Sequence, residues 1–114
     1  MKKATKILAT VLTVLCLSLV MTACGQKKAD YTAKTAESAL NSGEDLEGKT
    51  VKFKVQKLEP NSAFGYNMET GKHLNFVSND NPKVKDGDTV IVKVKKITST
   101  MGSYIITYTD LSKQ

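Results

Sequence analysis

Cys24 carries the most distinctive chemistry in this 114-residue chain. The other cysteine, Cys16, lies inside an apolar run from Ile7 to Met21, whereas Cys24 follows that run after two small residues, Thr22 and Ala23. A thiolate is a strong nucleophile, and a thiol is the one type of side chain here able to accept a thioether-linked lipid. The other reactive residue types do not converge. His73 is the single histidine; it lacks the Cys or His companions of a metal set, and acid–base chemistry needs a partner at a convergent position. It therefore reads as an ordinary strand residue. Asp86 and Asp88 flank Gly87, which superficially suggests calcium, but the longer acidic spacing of a calcium loop is missing and Asp-Gly-Asp suits a tight turn. Ser62, Ser78, Ser99 and Ser103 carry no nucleophile signature. The sequence thus points to a non-enzymatic chain that needs no metal and no soluble cofactor.

The segment that must place Cys24 is legible. Lys2, Lys3 and Lys6 precede the apolar run, and such a basic start holds the N-terminus on the cytoplasmic side. The run falls short of the roughly 20 apolar residues a spanning helix needs, so the layout is that of a secretory signal peptide. Its end, Met21-Thr22-Ala23-Cys24, resembles the lipobox of bacterial lipoproteins. That resemblance implies a leader over residues 1–23, a covalent diacylglycerol on Cys24, and a mature chain held by lipid on the outer face of the cell membrane. A plain cleaved signal with an incidental cysteine is the alternative, since Ala23 suits an ordinary peptidase too.

Removing the leader takes three of the 17 basic residues, all of them lysines, and lowers the net charge from +6 to about +3. What remains is enough for one small domain. With no second cysteine after Cys24, that domain has no disulfide and depends on its core, which makes a closed barrel without free sheet edges attractive. Residues 24–31 form the lipidated cysteine and a polar tether. Its seven residues from Gly25 to Tyr31 reach at most about 25 Å.

Residues 32–114 make the domain. Thr32 to Asn41 is Ala-rich, with Thr at its start and Gly43 beyond its end, and predicts a short helix. From Thr50 the hydrophobic period becomes two. Val51, Phe53 and Val55 alternate with Lys52, Lys54 and Gln56 along a first strand through Leu58, which Pro60-Asn61-Ser62 should break. Ala63 to Met68 and Lys72 to Ser78 form a hairpin around Glu69-Thr70-Gly71. After a turn-rich crossover, Asn79 to Gly87, a fourth strand runs from Asp88 to Ile97. A loop, Thr98 to Ser103, leads to a fifth, Tyr104 to Thr109.

Five short strands with a long break after the third outline an OB-like Greek-key barrel preceded by a helix. Gly48-Lys49-Thr50-Val51-Lys52-Phe53-Lys54-Val55 and Val84-Lys85-Asp86-Gly87-Asp88-Thr89-Val90-Ile91-Val92-Lys93-Val94 resemble the barrel strands of small OB-like lipoproteins of Gram-positive bacteria. The likeness covers about Gly48 to Thr109 and implies architecture rather than chemistry. The crossover is too short for the helix many such barrels carry there, so the helix at Thr32 to Asn41 either plugs the barrel end or leaves it open.

Two binding surfaces follow. In such a barrel the first and fourth strands pair, which would set Lys52 and Lys54 beside Lys93 and Lys95. That basic stripe suits either solvation or attraction to anionic lipid or an anionic envelope polymer. The usual ligand face would draw on Phe64, Tyr66, His73, Asn75 and Tyr104, although Phe76 and one of Phe64 and Tyr66 are needed to fill the core. Nucleic acid is disfavoured by the extracytoplasmic location and the absence of Arg. The expected function is a non-catalytic binding or accessory module of the envelope. A scaffold or immunity-type partner of a membrane protein, or a precursor of a pheromone-like signal peptide, are the alternatives.

Overall fold

The structure, a computed structural model, describes residues 28–114. The expected leader, Cys24 and the first residues of the tether lie outside the described residues. Strands hold 54% of what is described and helix 10%, so the fold is mainly β.

The chain enters through Asp30, whose carboxylate accepts the Thr50 N–H at 2.9 Å while its own N–H donates to Thr50 Oγ1 at 2.9 Å. This clamp seats a two-residue strand, β1 (Tyr31–Thr32), parallel to β2 (Thr50–Lys54). Asp30 and Tyr31, expected at the end of a free tether, are thus part of the folded unit. Helix α1 (Ala33–Asn41) follows at once. Thr32 caps it, and Thr32 and Thr35 satisfy each other's backbone N–H groups as a capping box does. Ser42 and Gly43 end it, the latter at φ +84°. Its apolar stripe, Ala36, Ala39 and Leu40, is buried.

The remaining strands are β3 (Lys57–Ser62), β4 (Gly65–Thr70), β5 (Leu74–Ser78), β6 (Thr89–Thr100) and β7 (Ser103–Lys113). They form one mixed sheet in the order β1-β2-β6-β7-β5-β4-β3, antiparallel except for the β1/β2 and β5/β7 pairs. The five expected strands are therefore seven. Besides the added β1, the segment expected as one strand from Thr50 to Leu58 divides at Val55 and Gln56. There the backbone changes partners: Val55 N–H donates to Asp88 O at 2.7 Å and Gln56 N–H to Glu69 O at 2.9 Å. β2 and β3 do not pair with each other, and the sheet is not closed into a barrel.

Pro60 does not break β3. That strand ends the sheet order, where a missing N–H leaves no ladder bond unmade, and the register shifts between Glu59 and Ser62. The following hairpin turns through Gly71-Lys72-His73 rather than Glu69-Thr70-Gly71, because Thr70 still pairs with Leu74.

Curvature is imposed by the core. The Phe53 and Phe76 rings stack with centroids 4.2 Å apart and planes 14° from parallel. Their strands, β2 and β5, are separated by β6 and β7 in the order; in a flat sheet with strands about 4.8 Å apart they would stand roughly 14 Å from each other. The sheet therefore wraps around the pair. Val51, Val55, Met68, Leu74, Val90, Val92 and Ile106 fill the space inside the wrap, all nearly inaccessible. Two register irregularities between β6 and β7, near Lys95 and near Asp110 at φ +56°, assist the bend.

β6 and β7 run three residues beyond the ends expected at Ile97 and Thr109 or further, and only Met101 and Gly102 join them. Both have positive φ, +48° and +83°, as the turn matching the twist of a hairpin requires. Methionine is a poor occupant of that conformation, and Met101 is fully exposed. Met101→Asn should raise stability by about 0.5–1 kcal/mol, read as a higher midpoint of thermal unfolding.

Candidate functional site

Two open grooves flank the wrapped sheet. The first, about 620 Å³, lies over β5, β6 and β7 and reaches the turn between β3 and β4. Val77, Ile105, Lys96, Thr98, Thr107 and Phe64 are among the residues that line it. Phe64 is 52% exposed. Local hydrogen bonds hold it out: Ser62 Oγ donates to Gly65 O at 2.6 Å and accepts the Phe64 N–H at 3.2 Å. Gly65 is required here, since at φ +93° a Cβ would stand 2.5 Å from Ser78 O. Lys96 reaches this face because of the irregularity at Lys95, after which Lys96 pairs with Thr107.

The second groove, about 580 Å³, lies between α1, the end of β2 and the β4–β5 turn. Its one carboxylate, Glu37, is buried. Oε1 accepts the Lys72 N–H at 2.8 Å, and Oε2 lies 3.0 Å from His73 Nδ1. Burial by itself would raise the Glu37 pKa; the hydrogen bonds from Lys72 N–H and from His73 outweigh it and hold the group below its ordinary value. The carboxylate is thus ionised, and Oε2 accepts a hydrogen bond from the His73 Nδ1–H. Gly71 allows this approach, because at φ +59° its Cβ would meet Glu37 Oε1 at 2.5 Å.

The residues singled out for the ligand face scatter. Phe64 lines the first groove. His73 sits in a turn rather than a strand and anchors Glu37. Tyr104 packs on the core, and its hydroxyl donates to Asn41 Oδ1 at 2.7 Å, tying β7 to the end of α1. Asn75 accepts from Asn67 Nδ2 at 3.0 Å and donates to Tyr104 O at 3.2 Å, a link within the sheet. Tyr66 pairs with Ser78 and is half-buried. Tyr108 meets Phe76 edge-on at 6.4 Å, and burial pushes its hydroxyl pKa up.

The expected lysine stripe is staggered. Lys52 pairs with Ile91, Lys54 with Thr89 and Lys93 with Thr50, while Lys95 falls past the end of β2. No two of these lysines lie directly opposite, an arrangement that avoids like-charge contact across the ladder. The Asp-Gly-Asp segment does turn work. Asp86 Oδ1 accepts the Leu58 N–H at 2.8 Å, and Asp88 Oδ2 accepts the Lys85 N–H at 3.0 Å and pairs with Lys113 Nζ at 3.1 Å. The Lys85 N–H and, behind it, Lys113 lower the Asp88 pKa.

Glu37 was not singled out by sequence, since a lone Glu on an Ala-rich helix carries no pattern. Its one available signal was position: it lies between Ala36 and Leu40 on the apolar side of the helix. Comparison with protein-family models, with curated proteins and with solved structures finds no match to the chain.

Glu37→Gln should destabilise the fold by about 1–3 kcal/mol at pH 7, because a charge-assisted acceptor for two donors is lost. The depressed pKa means that this contribution is present above the unfolded carboxylate value, about 4.3, and disappears as pH falls through the folded one. Urea unfolding of both proteins from pH 7 to pH 3 should show their curves converging on the acid side.

Proposed function

We propose that this chain is a lipid-anchored, non-catalytic binding module on the outer face of the cell membrane, with an open, wound sheet of OB-like strand order as its folded part. The anchor rests on the sequence Met21-Thr22-Ala23-Cys24 behind a basic, apolar leader. A diacylglycerol supplies two chains, and two are what stable anchoring takes. The OB-like reading is supported by strand order. Counting β2 and β3 as one bent strand and setting β1 aside leaves five, in which the first serves both ends of the sheet and the third and fifth run parallel.

The observation that carries the binding reading is the Phe64 groove. It runs over the sheet between the turn after the bent first strand and the far ends of β6 and β7, the region where barrels of this type take extended ligands. An exposed aromatic ring beside Lys96 and the hydroxyls of Thr98, Thr100 and Thr107 offers one stacking surface, one cation and several neutral hydrogen-bonding groups. Such a set suits a sugar-containing or peptide ligand of the envelope. Stacked bases on successive aromatics, the usual single-strand nucleic-acid platform, would need more than one ring on this groove, and among its lining residues only Phe64 is aromatic.

Two measurements test the reading. Mass spectrometry of the chain recovered from membranes should give an N-terminal Cys24 carrying a thioether-linked diacylglycerol, and an unmodified Cys24 or another start would refute the anchor. For the groove, the full chain should be titrated with soluble fragments of its own cell envelope while amide resonances are followed. Shifts centred on Phe64, Lys96 and Thr107, weakened at least tenfold by Phe64→Ala, are expected; shifts elsewhere, or none, would refute the assignment.

A further inference from the structure

We infer that the second groove, between α1, β2 and the β4–β5 turn, is a binding site for a phosphate ester of the glycerol phosphate type. Three lysines reach it from three separate elements: Lys34 on α1, Lys54 at the end of β2 and Lys72 in the β4–β5 turn. None of their ammonium groups forms a salt bridge among the described residues, where the ion pairs are His73 with Glu37 and Lys113 with Asp88. The groove's carboxylate is already committed, both oxygens being engaged by Lys72 N–H and His73 Nδ1. Cations therefore outnumber anions in a concave site whose acidic member is occupied.

Neutral donors complete the set. Asn41 Oδ1 accepts the Tyr104 hydroxyl, which leaves the Nδ2 amide as the end available to a ligand, and Ser38 and Gln56 line the same groove. The elements that carry the three lysines meet at the seam this groove occupies. α1 is capped beside β1, and Gly71 lets the hairpin turn close onto Glu37.

The chemistry suits an anion with several acceptor oxygens that point charges can surround. Lysines act as compact cations with three donors each, which can be spaced around the acceptor oxygens of a tetrahedral phosphate group. At about 580 Å³ the groove exceeds a bare phosphate ion and accommodates a phosphate with its alcohol. Ala33 and Lys34 on its rim directly follow β1, so the site lies beside the point where the chain enters the domain. A phospholipid headgroup and a soluble glycerol phosphate share the required chemistry.

The test is an NMR titration of the full chain in nonionic detergent. One arm adds sn-glycerol 3-phosphate; the other dopes the micelles with short-chain phosphatidylglycerol, with short-chain phosphatidylcholine, a zwitterion of no net charge, as its control. Saturable shifts at Lys34, Gln56 and Lys72 are expected in at least one of the two anionic arms, and which arm responds identifies the source as soluble ester or lipid. The combined variant Lys34→Gln, Lys54→Gln and Lys72→Gln should weaken binding at least tenfold while keeping the parent spectrum elsewhere. Lys57→Gln, Lys83→Gln and Lys85→Gln, which removes the same charge at other places, should change it by less than twofold. No saturable shift in either anionic arm, an undiminished response in the groove variant, or an equal loss in the control variant would overturn the proposal.

Discussion

The face-to-face contact of Phe53 with Phe76 is the constraint from which the rest of the fold follows. It brings together two strands that the hydrogen-bond ladder keeps two strands apart. Only a strongly wound sheet satisfies both the ladder and the stack. The winding in turn makes β2 and β3 a single bent path, creates an interior for the valines of β2 and β6, and leaves α1 to cover the side nearest β1. With no cysteine after Cys24, burial of this kind has to supply the stability that disulfides give other small folds.

The same winding produces the two grooves and gives them different characters. The Phe64 groove lies on the outside of the sheet, where β5, β6 and β7 present alternating residues away from the core. Its shape depends on a turn locked by Ser62 and Gly65 and on an irregularity in β6 that redirects Lys96. The lysine groove lies at a seam between helix and sheet. Glu37 closes that seam by bonding to the hairpin turn, so the buried acid is a structural tie. The cations around it are what remains for a ligand. A domain tethered by a few residues would meet membrane lipid from the side where β1 enters, and the lysine groove is on that side.

How much was legible in the sequence differs by element. Alternation located β2 and β6 because one face of each is buried and the other wet. The helix was readable from Thr32, its Ala-rich body and Gly43, since capping depends on local backbone geometry alone. Pro60 misled because its cost depends on whether an N–H is needed, which is a property of the neighbouring strand. His73 was misplaced by a two-residue shift in the hairpin turn, and the shift follows from the pairing of Thr70 with Leu74. Tyr104 and Asn75 were expected to face a ligand, yet their polar atoms bond to Asn41 and Asn67 instead.

By itself the sequence determined the helix and the alternating strands β2 and β6, because caps and alternation act over a few neighbours, whereas β1 and the division of the first strand escaped it. It also carried the whole case for Cys24, whose chemistry is written in contiguous residues. The tertiary structure alone decided which strands share an edge, where the bent segment changes partners, and which polar side chains are satisfied internally. Those outcomes depend on contacts between residues far apart in the chain, such as Glu37 with His73 and Phe53 with Phe76, and no local pattern encodes a distance that exists only after the sheet has wound around its core.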